Sequence, residues 1–280
     1  MLLKKSALLL LTMVIMTGSL LASCVANGVT TPVSTQAAKT WYQQTANDFK
    51  ALLPVTPPET LWPADGKRTD TDFNVNKEFS VLTHLSMQQG YVLDYLYLSD
   101  GTAGGPILYV RPADATPFKN YTEYKDAAAS TPRPSNDKSL IWLVKGATTS
   151  NFGNKISIDG SKEGYFEYAL LQTIGNKFYL FGFTQQSDTF AVCEKSAVEN
   201  IITELEASNN GTLDSKFVSS ATKLAVEPKV QIDDVTVTVQ LVTFSPMMGF
   251  NKVTLTILKN YPNTITEQVI ESLLDYPRAK

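Results

Sequence analysis

The sequence predicts an α+β fold in which antiparallel hairpins are each backed by a helix. Residues 235–241 and 253–257 alternate apolar and polar side chains with the two-residue period of a half-buried strand. Residues 188–206 carry an apolar stripe at helical spacing. A strand–turn–strand–helix order recurs around residues 91–129, 165–206 and 235–276. This recurrence favours helices packed on hairpins.

The first part of the body combines one helix with several short strands. Residues 40–53 place Trp41 and Phe49 on one helical stripe before a proline, which predicts a helix packed on the sheet by these two rings. Apolar and β-branched runs predict strands at residues 73–76, 79–86, 91–98 and 107–110. A short helix near 121–129 and a polar connector at 130–138 follow.

The second part is predicted to contain a central hairpin. After strands at 140–144 and 155–158, the apolar runs 165–174 and 178–183 flank Gly175 and Asn176, a strong hairpin signal. Both runs are apolar on both faces, so we expect them to be covered strands. The amphipathic helix at 188–206 follows them.

The end of the chain is predicted to form a ββα unit. Residues 208–229 are polar and read as a connector, and the two alternating strands come next. Thr264 and Glu267 have capping-box spacing, which predicts a last helix over 262–276. We therefore divide the chain into a signal segment (residues 1–23), a tether (24–39), a main α+β domain (40–207), a connector (208–229) and a C-terminal ββα unit (230–280).

The middle unit, a Gly-Asn hairpin followed by a long helix, resembles the end of PsbP-like domains. Some bacterial lipoproteins use that fold. The resemblance covers this unit alone, and it implies an assembly or binding role outside the cytoplasm.

The N-terminus has the three-part layout of a secretory signal. Lys4 and Lys5 precede an apolar run over residues 7–16, and Gly18 and Ser19 follow it. The run is short for a membrane span, although a transmembrane anchor is the alternative. Residues 24–39 are small and polar, and they are predicted to form a flexible tether.

Leu21, Ala22, Ser23 and Cys24 end this segment and resemble the lipobox of bacterial lipoproteins. The resemblance implies lipidation of Cys24, removal of residues 1–23 and acylation of the new N-terminus. Val25 follows the cysteine, and by the same resemblance the outer membrane is favoured if the organism is Gram-negative. Ordinary secretion with Cys24 as a plain thiol is the alternative.

Composition excludes several classes of function. The formal net charge is −3 and the pI is near 5.3, without a basic cluster, so nucleic acid and anionic headgroups are poor partners. The chain has one histidine, His84, which excludes a multi-histidine zinc site. Cys193 could pair with His84 as a nucleophile and base, but it lies on a stripe predicted to be buried. We expect neither a metal nor a cofactor.

Two loops are candidates for binding, one for calcium and one for a protein partner. Residues 70–76 place oxygen ligands at alternate positions, as a calcium loop does, but Val75 and Val81 stand where that loop needs glycine and glutamate. A polar strand face explains the spacing equally well. Met247, Met248 and Phe250 lie at a predicted hairpin tip and are candidates for partner contact, although folding back over the sheet edge is the favoured alternative.

The sequence therefore predicts a lipid-anchored bacterial envelope protein with a non-catalytic binding or assembly role, held at the membrane through Cys24 and contacting an envelope protein partner. One alternative is a carboxylate-dependent hydrolase, for which the scattered candidates are Glu163, Glu167, Asp188 and Glu194. The other is a lipoprotein that binds a small ligand or lipid.

Overall fold

The computed structural model describes residues 40–61, 69, 72–99, 103–118, 120, 152–180, 182, 189–208 and 213–276. These residues all belong to one compact unit, Ala37–Lys280. Their helices are α1 (Trp41–Leu52), α2 (Lys162–Ile174), α3 (Lys195–Ser208) and α4 (Ser215–Ala221). Short 3-10 turns lie at Glu59–Leu61, Val75–Ser80 and Phe152–Lys155. Among the described helices, none has the length and apolar character needed to cross a membrane.

The described strands form one main sheet and two small ribbons, all antiparallel. The strands are β1 (Leu85–Met87), β2 (Tyr91–Ser99), β3 (Gly104–Pro112), β4 (Ile156–Ile158), β5 (Phe190–Val192), β6 (Lys229–Ile232), β7 (Thr236–Ser245), β8 (Gly249–Leu258) and β9 (Ile265–Leu274). The main sheet has the order β5-β7-β8-β9, and β6 also pairs with β7. The ribbons are β1-β4 and β2-β3. The predicted α+β class is confirmed.

Helices cover both faces of the main sheet. In the β7–β8 pair, Val237 lies opposite Ile257 and Leu241 opposite Val253, as the two-residue period requires. This face packs on α1 and α2 through Ala46, Phe49, Phe166, Leu170 and Ile174. The opposite face packs on α3 and α4 through Val198, Ile201, Ile202, Phe217 and Ala221. The β2–β3 ribbon has a core of its own with Leu61 and Phe178.

The predicted first helix is confirmed as α1. Thr40 caps it, because its side chain accepts a hydrogen bond from the Gln43 backbone N–H at 3.3 Å. Phe49 is fully buried as expected, but Trp41 is 41% exposed. The Trp41 ring instead stands edge-on to the rings of His84 and Phe166, with centroids at 5.6 and 6.1 Å. The predicted strands at 91–98, 107–110 and 155–158 are also confirmed, as β2, β3 and β4.

The predicted central hairpin is wrong, because residues 165–174 lie in the helix α2. Ser161 caps this helix by accepting from the Gly164 N–H, and Gly175 ends it with a helical φ of −60°. An apolar run that is buried all round has no period to separate strand from helix. The resemblance to PsbP-like domains therefore loses the hairpin on which it was based.

The predicted last helix is also wrong, because Ile265–Leu274 is the strand β9. Thr264 does not cap a helix, since its hydroxyl donates to the Pro262 carbonyl at 2.7 Å. The Asn263 side chain donates to the Leu258 and Lys259 carbonyls and closes the turn from β8. The C-terminal unit is consequently ββ followed by a third strand, and the proposed ββα unit is corrected.

Smaller differences from the predictions concern the bounds of short strands, a connector and a helix. Residues 73–76 and most of 79–86 form a 3-10 turn and loop rather than strands, because the Asn74 side chain caps the turn at Asn76. The connector 208–229 contains α4 and the start of β6. Helix α3 begins at Lys195 after the short strand β5, within the predicted 188–206. The predictions for residues 1–39, 121–138 and 140–144 lie outside the described residues.

Replacing Leu170 by alanine tests the packing of α2. Leu170 is fully buried against the sheet, so Leu170→Ala should lower the free energy of unfolding by about 2–5 kcal/mol. Urea unfolding followed by circular dichroism measures this. Val235 is 64% exposed, and the control Val235→Ala should change stability by less than about 0.5 kcal/mol. Equal effects of the two substitutions would contradict the placement of α2.

Candidate functional site

Three polar side chains meet at the N-terminus of α2. Strands β1 and β4 pair with Leu85 opposite Ile158, which places His84 beside Asp159. His84 Nδ1 lies 2.7 Å from Asp159 Oδ2. The Ser161 hydroxyl donates to Asp159 Oδ1 at 2.5 Å and lies 3.4 Å from His84 Nδ1. The three residues therefore form a hydrogen-bonded cluster, which we call the His84 cluster.

Each charge in the His84 cluster stabilises the other. The hydrogen bond to Asp159 raises the pKa of His84, against a smaller opposing effect of burial. Burial acts to raise the pKa of Asp159, but hydrogen bonds from Ser161 and His84 outweigh it and hold that pKa below its ordinary value. The side chains of His84 and Asp159 are 31% and 44% exposed. The pair is thus an ion pair at the surface when His84 is protonated.

Glu167 lies beneath this pair and is fully buried. Its Oε2 accepts a hydrogen bond from the His84 backbone N–H at 2.7 Å. Its Oε1 has no hydrogen-bond partner among the described residues. Burial raises the pKa of Glu167 to about 7, although the hydrogen bond from His84 works in the opposite direction. The Glu167 carboxyl group is therefore partly protonated near neutral pH.

The geometry of the His84 cluster is structural rather than that of a nucleophilic triad. In a triad the carboxylate and the hydroxyl bind opposite nitrogens of the imidazole. Here both Asp159 and Ser161 lie on the Nδ1 side, and the Ser161 hydroxyl is also the cap that accepts from the Gly164 N–H at 2.9 Å. The cluster therefore ties the ends of β1 and β4 to the start of α2.

The carboxylates considered for hydrolysis are only partly brought together. Glu163 and Glu167 lie one turn apart on α2, near the His84 cluster. The pKa of Glu167 is raised and the pKa of Asp159 is lowered, as in the acid–base pairs of hydrolases. However, the side chain of Glu167 is sealed from solvent. Glu194 is bound to the N–H of Thr40 at 2.8 Å. Asp188 lies outside the described residues.

Cys193 is buried as predicted, but it follows β5 instead of lying on a helix. Its side chain is 1% exposed and its backbone N–H donates to Gln43 Oε1 at 2.6 Å. Burial raises the pKa of the thiol, so the thiol stays protonated at neutral pH. This environment is that of a small core side chain and not of a nucleophile.

The oxygen ligands of the calcium-like segment serve local hydrogen bonds. Asp72 accepts from the backbone and hydroxyl of Thr69 at 2.6 and 3.0 Å, and the Asn76 side chain bonds both backbone groups of Leu93. Asp70 lies outside the described residues. Within the described part of the chain, no group of three or more His, Cys, Asp or Glu side chains is arranged to hold a metal ion.

The three residues of the β7–β8 tip separate in the structure. Phe250 is fully buried among Phe217 and Phe244, whereas Met248 is 51% exposed and Met247 is half-buried. Gly249 permits the tight turn, because it has a φ of +71° and a Cβ there would approach the Leu274 carbonyl within 2.1 Å. Of the three candidates for partner contact, Met248 alone is exposed.

An exposed edge at β9 was not predicted from the sequence. This strand pairs with β8 alone among the described strands, and seven of its ten residues are exposed. Val269 and Ile270 are 46% and 59% exposed. The β-branched residues of this segment were the available signal for a strand.

Comparisons of the chain with protein-family models, with curated proteins and with solved structures find no match.

Truncation at the β7–β8 tip distinguishes its two apolar residues. Because Phe250 fills the core, Phe250→Ala should lower the free energy of unfolding by about 3–5 kcal/mol. Met248→Ala should change it by less than about 0.5 kcal/mol. Thermal and urea unfolding of both variants measure the difference. A large loss for Met248→Ala would show that its side chain is not free at the surface.

The pH dependence of stability tests the burial of Glu167. Its pKa is raised above that of the unfolded chain, so the neutral carboxyl favours the folded state below about pH 4.5, and this contribution is lost as the pH rises to about 7. Glu167→Gln mimics the neutral form and should flatten the decline in stability over this range. Urea unfolding at several pH values measures the slope. The control Glu163→Gln should keep the slope, and an unchanged slope in Glu167→Gln would contradict the assignment.

Proposed function

We propose that the chain is a lipid-anchored protein of the bacterial envelope that acts by binding or assembly rather than by catalysis. The observation that carries the proposal is the sequence Leu21-Ala22-Ser23-Cys24, which directly follows the apolar signal segment. Lipidation at this cysteine supplies more than one acyl chain. Because a single chain binds a membrane only marginally, whereas two or more bind it stably, such an anchor would be permanent.

The state of the reactive groups supports a non-catalytic role. The Glu167 carboxyl is sealed in the core, the Cys193 thiol is buried and the Ser161 hydroxyl caps α2. A catalytic group must contact its substrate. Each of these groups is instead engaged in holding the fold.

The exposed edge of the main sheet supports a binding role. β9 presents ten residues of strand with Val269 and Ile270 open to solvent. Edge strands of this length are surfaces on which another chain can add a strand.

The proposed location is the extracytoplasmic side of a membrane, and the outer membrane if the organism is Gram-negative.

Replacing Cys24 by serine tests the anchor. Cys24→Ser removes the only thiol that the proposed lipidation can use, so incorporation of radioactive palmitate should be abolished and the slower-migrating precursor should accumulate. Metabolic labelling followed by electrophoresis measures both.

The matched control is Cys193→Ala, which removes the other cysteine and should leave labelling intact. Palmitate incorporation that persists in Cys24→Ser would overturn the proposal.

A further inference from the structure

The outer edge of β9 carries a defined charge pattern. Residues 267–272 pair with β8 without interruption, so their side chains alternate strictly between the two faces of the sheet. Glu267, Val269 and Glu271 share one face, on which they lie opposite Thr256, Thr254 and Lys252. The edge therefore offers an acidic, an apolar and an acidic side chain in a row.

A second copy of β9 does not complement this pattern. β9 contains two glutamates and no lysine or arginine. An antiparallel pair of identical strands centred on Val269 would set Glu267 of each copy opposite Glu271 of the other. Like charges directly opposite each other destabilise a strand pair. A register moved by two residues would set the glutamates opposite apolar side chains, so no symmetric register neutralises them.

The carboxylates of Glu267 and Glu271 can each accept a cationic group from a partner. Lys252 Nζ contacts Glu271 Oε2 at 2.5 Å from the β8 side, and the side chain of Glu271 remains 54% exposed. A carboxylate has enough lone pairs to accept a second cationic donor. Glu267 faces the neutral Thr256 on β8, and it is exposed. A strand added to β9 would reach both carboxylates.

We propose that β9 binds an extended segment of another protein in which two basic residues flank an apolar residue at alternate positions. The basic side chains lie opposite Glu267 and Glu271, the apolar one lies opposite Val269, and the backbones pair as in β-augmentation. This inference rests on the binding role proposed above and names the chemistry of the partner.

A pair of labelled peptides tests the inference on the full chain. The probe has the sequence Thr-Lys-Thr-Val-Thr-Lys-Thr, and its control carries glutamate in place of both lysines. Fluorescence anisotropy at low salt should show that the lysine peptide binds about ten-fold more tightly than the control, since two opposite-charge pairs replace two like-charge pairs. Equal binding of the two peptides, or no binding of the lysine peptide, would overturn the proposal.

Charge reversal on β9 locates the contact. Glu267→Lys should weaken binding of the lysine peptide about three- to ten-fold and strengthen binding of the glutamate peptide. The matched control Glu206→Lys makes the same change in net charge on the exposed side of α3 and should leave both affinities unchanged. Equal effects of the two variants would show that the peptide responds only to the net charge of the protein, and this result would overturn the proposed contact.

Two further outcomes separate this inference from others. A concentration-dependent dimer of the unaltered chain that Glu267→Lys strengthens, because the new cation would face Glu271 of the other copy, would assign the edge to a second copy and overturn the heterologous pairing. Failure of peptide discrimination while palmitate still labels Cys24 would refute this inference and leave the proposed anchor standing.

Discussion

Packing of the apolar helix α2 on the inner face of the β7–β8 pair is the interaction on which the rest of the structure depends. Nine of its residues are buried. The same helix anchors the surrounding parts, because the Tyr168 hydroxyl donates to the Asn263 carbonyl at the β8–β9 turn and Glu167 accepts from the His84 backbone before β1. Its capped N-terminus then gathers the His84 cluster. The helix thus holds Ser161 in place, while the β1–β4 pairing brings His84 to Asp159.

Burying α2 and its neighbours also encloses two carboxyl groups. Glu167 lies under the His84 cluster, and Glu78 is buried with neither side-chain oxygen bonded among the described residues. Desolvation raises the pKa of Glu78 well above its ordinary value, as it raises that of Glu167. Both groups favour the folded state when neutral, so both make the fold less stable as the pH rises. Their burial fits a role in the core and removes them from contact with a substrate.

How much of this could be predicted depended on whether an element has two different faces. β7 and β8 have one core face and one more polar face over much of their length, so alternation revealed them. The helical spacing of Trp41 and Phe49 before a proline revealed α1. α2 is buried on almost all sides and β9 is exposed on both faces, so neither has a period that matches its structure. The spacing of Thr264 and Glu267 imitated a helix cap. His84 and Asp159 lie far apart in sequence and meet only through the β1–β4 pairing, which sequence patterns do not specify.

The C-terminal segment is a strand that pairs with β8 alone among the described strands, and it is not a helix. Amide hydrogen exchange resolved at single residues over 265–274 distinguishes an edge strand from a helix. In an antiparallel edge strand, alternate N–H groups point to the neighbour and to solvent. Slow and fast exchange should therefore alternate along the residues of β9. Uniform slow exchange would mean that the outer edge is covered, and protection of consecutive amides with helical carbon shifts would contradict the strand itself.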